Sequence, residues 1–182
     1  DDRLPVSPAG RAVRRVARWT LVLLALALAA TVALRFVARL SGGPLGIVPG
    51  GRLDGPLAGN QSPDWSFTDR VRTIQVEVDP EDPLSVTTWV FTLDGDLYVA
   101  ADFFNPFKQW PRRALVDPRV RLRIDGSIYE RLAVRVTDPA TIERLRRAIA
   151  VKYDIADGGL ASKIDVWFFR MDPRPAVISP PA

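Results

Sequence analysis

The side chains that most often carry chemistry are scarce in this chain of 182 residues, which has no histidine and no cysteine. That removes imidazole bases, thiol nucleophiles, disulfides and the commonest zinc ligands in one step. Carboxylates and arginines remain. Glu77, Asp79, Glu81 and Asp82 crowd one short segment, but Pro80 and Pro83 interrupt it, and it lacks the glycine-centred spacing of a calcium loop. These acids are expected to be solvated turn charge. No catalytic residue and no metal-ligating set is assigned.

The net charge of +4 is nearly all arginine and is spread along the chain. Without a basic tract it gives no reason to expect a nucleic-acid partner. Arg119, Arg121 and Arg123 alternate with Val120, Leu122 and Ile124, and Arg131 and Arg135 follow in the next apolar run. A cationic stripe on one outer sheet face is expected. Such a stripe can be a solvated face that discourages edge pairing, or a docking face for an acidic subunit or anionic headgroups. On the second reading Arg119, Arg121 and Arg123 are interface residues. Trp65, Trp89, Trp110 and Trp167 suit core or rim positions.

The elements that position these residues are strands. Residues 86–93 are β-branched and aromatic throughout, Asp94-Gly95 supplies a tight hairpin turn, and 97–103 returns. A second hairpin closes at Asp125-Gly126, between the arginine-bearing strand and the run carrying Ile128, Glu130, Leu132, Val134 and Val136. Ile74, Val76 and Val78 mark an earlier strand, and residues 163–171 a last one. Two helices interrupt the series. One is expected over 106–116, N-capped by Asn105 and disturbed by Pro111; the other follows Thr137-Asp138-Pro139 and buries Ile142, Leu145, Ile149 and Tyr153.

The first 40 residues read as an anchor. Residues 19–34 are uncharged and apolar, and snorkelling by Arg18 and Arg35 extends the span to about 17–38. Trp19 stands where an interfacial aromatic would. A signal peptide cleaved near Ala27-Leu28-Ala29 and a buried core helix are the alternatives. Arg3, Arg11, Arg14, Arg15 and Arg18 precede the span and Arg35, Arg39 and Arg52 follow it, a bias that favours a cytoplasmic N-terminus and a periplasmic domain in a bacterial inner membrane. The expected organisation is a basic tail (1–16), a transmembrane helix (17–40), a Gly/Pro-rich linker that hugs the domain surface (41–64), a β-rich domain (65–173) and a proline-rich tail (174–182).

The order strand, hairpin, short helix, hairpin, helix, strand over residues 72–172 resembles the split β-barrel of flavin-binding pyridoxamine-phosphate-oxidase-like proteins and deazaflavin-dependent nitroreductases. Two phrases carry it: Asp94-Gly95-Asp96-Leu97-Tyr98-Val99, and the stretch from Trp110 through Asp117-Pro118-Arg119-Val120, followed by Gly126 and Val136-Thr137-Asp138-Pro139. The resemblance implies a mostly β (α+β) split barrel with two helices behind the transmembrane helix. It also implies that Lys108, Arg112 and Arg113 would be phosphate-side cations of an FMN or deazaflavin, with Trp89 or Phe103 near the ring. Where those relatives carry a Gly- and Lys/Arg-rich phosphate turn, this chain has Asp79-Pro80-Glu81-Asp82-Pro83, which adds negative charge and removes two backbone donors. The expected function is therefore a non-catalytic accessory subunit of a larger integral-membrane complex, respiratory, photosynthetic or transport, with no cofactor. Ala25, Ala29 and Ala33, spaced i, i+4, i+8, would let a partner helix approach closely. The alternative is a membrane-tethered flavin- or deazaflavin-dependent oxidoreductase.

Overall fold

Asp94 and Gly95, like Asp125 and Gly126, both take positive φ, the geometry of the two-residue hairpin turn whose twist matches its strands. Around these turns the computed structural model, which describes residues 8–40, 42–59, 63–102, 109–155 and 166–175, places six strands. They are β1 (Thr73–Val78), β2 (Leu84–Leu93), β3 (Asp96–Asp102), β4 (Arg119–Ile124), β5 (Ser127–Arg135) and β6 (Val166–Pro173). All pair antiparallel in the order β1-β2-β3-β6-β5-β4, and β4 returns to β1 to close a barrel. This is the split-barrel α+β architecture that the resemblance implied.

Strand alternation fills the interior. Ile74, Val76, Val78, Val90, Leu97, Val99, Val120, Leu122, Ile124, Phe169 and Met171 form one buried cluster. Helix α2 (Trp110–Val116) adds Trp110 and Ala114 to that cluster, and Trp65, from a 3-10 turn at Trp65–Arg70, joins it too. The expected start of α2 at Pro106 lies outside the described residues; the described helix runs from Trp110 with Gln109 as N-cap, and Pro111 lies in its first turn. There a proline costs nothing, because its missing N–H has no intrahelical acceptor. Asn105 lies outside the described residues.

Helix α3 (Pro139–Tyr153) is capped as its sequence predicts, with Asp138 accepting from Thr141 N at 2.7 Å. Its buried Leu145, Ile149 and Tyr153 cover Phe91, Tyr98, Ala100 and Phe168 on the outer sheet face. Tyr153 also mends the sheet. The β1–β2 pairing ends at Thr73↔Trp89, and the next β2 residue, Val90, meets the Tyr153 hydroxyl instead. Val90 N donates to that oxygen at 3.0 Å, which lies 2.7 Å from Val90 O and 2.6 Å from Arg72 O, its two available acceptors.

Residues 42–58 form a strap over another part of the outer face. Gly50 exchanges two backbone hydrogen bonds with Ser85, both 2.9 Å, and Pro56 O and Ala58 N bond Ile128 N and O, both 2.8 Å. A Cβ on Gly50 would lie 2.2 Å from the Gly43 carbonyl, so only glycine fits there. Leu53 is fully buried beneath the strap.

The chain divides after Val37 into two units. The first is most of α1 (Pro8–Leu40). Its Arg15–Leu34 segment has a mean hydropathy of 2.0 over 20 residues, none of it buried by the rest of the chain. At about 1.5 Å per residue that is roughly 30 Å, the thickness of a bilayer core. The helix is long and apolar enough to span a membrane, a property it shares with a signal sequence.

Candidate functional site

Of the positions that the resemblance assigns to a flavin-type cofactor, Arg112, Arg113 and Trp89 fall among the described residues. Arg113 sits on α2, and its Nη1 reaches Asp79 Oδ2 at 3.0 Å, Asp82 O at 3.0 Å and Asp82 Oδ2 at 3.3 Å. Asp79 makes this possible by taking positive φ (57°) at the end of β1, a conformation that aspartate tolerates better than most residues. Arg112, on the same helix, is exposed. Trp89 lies on the outward phase of β2 beside α3, its ring stacked on Tyr153 with centroids 4.6 Å apart and planes 15° from parallel. Lys108 and Phe103 lie outside the described residues.

Among the described residues, the half-buried Arg113 is paired to two aspartates of the acidic turn, so an incoming phosphate would compete there with carboxylates already in place. Trp89 does keep an exposed surface, which a planar ring could use.

The cationic stripe is corrected by the register. Arg131 lies opposite Val120, and Arg135 opposite Phe169, so both stand on the interior phase rather than the outer one. Arg131 is 1% exposed, its guanidinium 5.1 Å from the Trp65 ring and 5.8 Å from Tyr129, and burial pushes its pKa below the ordinary arginine value. Arg135 instead covers Trp167 at 3.7 Å. Such aromatic faces favour a partly desolvated cation.

Arg119, Arg121 and Arg123 do share the outward phase of β4, each half-buried, and each is engaged within the fold. Arg119 Nε bonds both oxygens of Asp117, at 2.9 and 3.0 Å, and these hydrogen bonds hold the Asp117 carboxyl below its ordinary range. Arg121 Nη1 donates to Glu77 Oε2 at 2.9 Å. Arg123 binds Gln75, Gly42 O and Asp54 O. The expectation that Glu77 is solvated turn charge is also corrected. It is 2% exposed, faces outward on β1 under the strap, and accepts from Leu53 N at 2.6 Å as well as from Arg121. Arg52, Arg119, Arg121 and Arg174 line a cleft of about 300 Å³ with Glu77 and Glu130. Asp117, Glu77 and Glu130 pair with Arg119, Arg121 and Arg174, while Arg52 donates to the Pro80 carbonyl at 2.9 Å.

Two features escaped sequence reasoning. Tyr153 was legible only as an apolar helix position, although its hydroxyl completes a sheet. That the linker hugs the domain surface was expected, but not its dependence on Glu77 and Arg123. On α1, Ala25, Ala29 and Ala33 are all exposed.

No protein-family model matches the chain, and no curated protein matches it. Among solved structures it is similar to a conserved hypothetical protein from Mycobacterium tuberculosis, with a TM-score of 0.50 and 16% identity over 67% of this chain and 85% of that one. It is also similar to HutZ, the heme storage protein from Vibrio cholerae (TM-score 0.48, 15% identity, 60% and 86% covered), and to an FAD-binding protein from Mesorhizobium loti (TM-score 0.42, 17% identity, 62% and 88% covered). At these identities the likeness is one of fold, and the fold is the split barrel described above.

Proposed function

We propose that this chain is a membrane-anchored split-barrel subunit of a larger integral-membrane assembly, non-catalytic itself, with its N-terminus cytoplasmic and its barrel on the periplasmic side. The observation that carries this reading is the commitment of its reactive side chains to its own fold. Arg113 is neutralised by Asp79 and Asp82, Arg121 by Glu77, and the barrel interior is filled by side chains. The apolar flank of α1, unburied by its own chain, needs lipid or another helix to cover it. The arginine bias across the span supports the orientation, and the Ala25, Ala29 and Ala33 stripe supplies a face for close helix contact. Purification in mild detergent followed by mass spectrometry tests the subunit reading. A stoichiometric integral-membrane partner, lost or weakened in Ala29→Leu, is expected; a monodisperse lone chain overturns it.

One observation favours a second reading. The exposed Trp89, backed by Tyr153, is a ready platform for a flat ring, as a tethered flavin- or deazaflavin-dependent oxidoreductase would need. Flavin-type absorbance in the purified protein, or a higher melting temperature with FMN or deazaflavin that Trp89→Ala abolishes, would replace the first reading with this one.

A further inference from the structure

We propose that the turn Leu45-Gly46-Ile47-Val48 rests its apolar tip in the interfacial layer of a lipid bilayer, so that the barrel unit touches the membrane at a second point. The inference rests on reading α1 as a membrane span and adds a contact that this reading does not require.

The composition of the turn is the first argument. From Gly42 to Gly51 the chain reads GGPLGIVPGG, ten residues without one polar or charged side chain. A turn that met only water would carry the Asn, Asp or Ser that usually satisfy turn backbone. Here the crest is aliphatic and bare. Ile47 is 101% exposed and Leu45 is 42% exposed, and nothing lies within 4 Å of where a Cβ on Gly46 would stand.

Rigidity is the second. Leu45 N donates to Val48 O at 3.1 Å and Val48 N to Leu45 O at 3.0 Å, which closes the turn. Its base is fixed to the barrel through the Gly50–Ser85 pair and through Arg123 on Gly42 O. A side chain held outward by this frame loses little conformational freedom on entering lipid.

Chain length is the third. Ile47 lies seven residues beyond Leu40, the last residue of α1, so even a fully extended backbone would place it no more than about 25 Å from the helix end. The tether is thus short enough to keep the tip within reach of the bilayer surface. Attachment also makes insertion effectively intramolecular, so a contact too weak to bind a free protein suffices. Lipid is the fitting occupant, because two aliphatic side chains fall far short of the ~800 Å² per partner of a stable protein interface. Lipid demands no complementary shape.

The absence of cysteine allows single-site labelling of the full chain reconstituted in nanodiscs. An environment-sensitive fluorophore would be attached in Ile47→Cys, in Leu26→Cys on α1 and in Val151→Cys, an exposed position on α3. Nanodiscs with and without nitroxide lipids would follow, and melting curves would confirm that each variant folds. The Ile47→Cys label should emit to the blue of the Val151→Cys label and be quenched several-fold more strongly by a nitroxide near the headgroup. If it matches Val151→Cys while Leu26→Cys is quenched by a mid-chain nitroxide, the tip contact is wrong and the span stands. If Leu26→Cys is not quenched either, the membrane reading falls and takes this inference with it.

Discussion

The outer surface of the barrel is covered in two places by opposite means. Over Phe91, Tyr98, Ala100 and Phe168 lies α3, which contributes an apolar stripe. Over Gln75, Glu77, Arg123 and Ile128 lies the strap, which contributes backbone: Leu53 N, Gly42 O, Asp54 O, Pro56 O and Ala58 N all bond to the sheet beneath. The first cover is held by area removed from water, and it tolerates small changes of shape. The second is held by directed bonds to buried charge, where a missing partner costs more than a present one contributes. The same distinction separates the sequence signals, because a helix advertises its contact face by periodicity whereas a strap of glycines and prolines advertises almost nothing.

The comparison breaks most sharply at Glu77. Glu77→Ala would strand the Arg121 guanidinium and the Leu53 N–H under the strap, and a loss of about 3–5 kcal/mol is expected from breaking a buried pair. Urea unfolding would measure it; a change under 1 kcal/mol would mean that the strap does not depend on this carboxylate. On the other cover, Leu145→Ala removes a fully buried side chain and should cost about 2–4 kcal/mol. Limited proteolysis sharpens the contrast. Glu77→Ala should expose cleavage sites in 42–58 and Leu145→Ala sites around α3; the reverse pattern would refute the division.

The smallest effect is expected where the helix cover borrows the strap's method. Tyr153→Phe keeps the apolar contact but leaves Val90 N without its acceptor, a loss of about 1–2 kcal/mol at neutral pH. Burial raises the Tyr153 pKa above its ordinary value of 10.0. A group whose folded pKa is raised contributes stability that is full below its unfolded value and is lost as pH climbs through the folded one. Wild-type stability should therefore fall above about pH 10, and Tyr153→Phe should fall less steeply over the same window. Melting temperatures across that range would decide it. Tyr98, also raised by burial, slopes the same way in both proteins and leaves the difference intact.

Much of the fold was legible because its signals are local. Asp94-Gly95 and Asp125-Gly126 announced hairpins, Asp138 announced α3, and Val120, Leu122 and Ile124 announced the inner face of β4. Arg131 was misplaced for the opposite reason, since whether a strand residue faces in or out depends on a register that its own neighbours do not encode. Only pairing with Val120 puts it inside. Glu77 went astray similarly: it reads as the first of an acidic run, and only the strap, 24 residues earlier in the chain, turns it into a buried acceptor. The candidate cofactor positions were the least legible. Trp89 and Arg113 are placed by different packing clusters, and no spacing in the sequence reports that the aspartates of the turn after β1 reach Arg113.

On the membrane-anchored reading proposed above, closure of the barrel has a further consequence. Molecules confined to a membrane plane meet one another at high local density, and an open sheet there would present unpaired N–H and C=O groups to every passing copy. With β4 joined to β1, each of the six strands has a neighbour on both sides, and the strap pairs with β2 at Ser85 and with β5 at Ile128, so closure and strap together take up strand edges to which another copy could add. On that reading a partner would be met by side chains and turns, which can be specific, rather than by strand addition, which in a crowded plane would propagate.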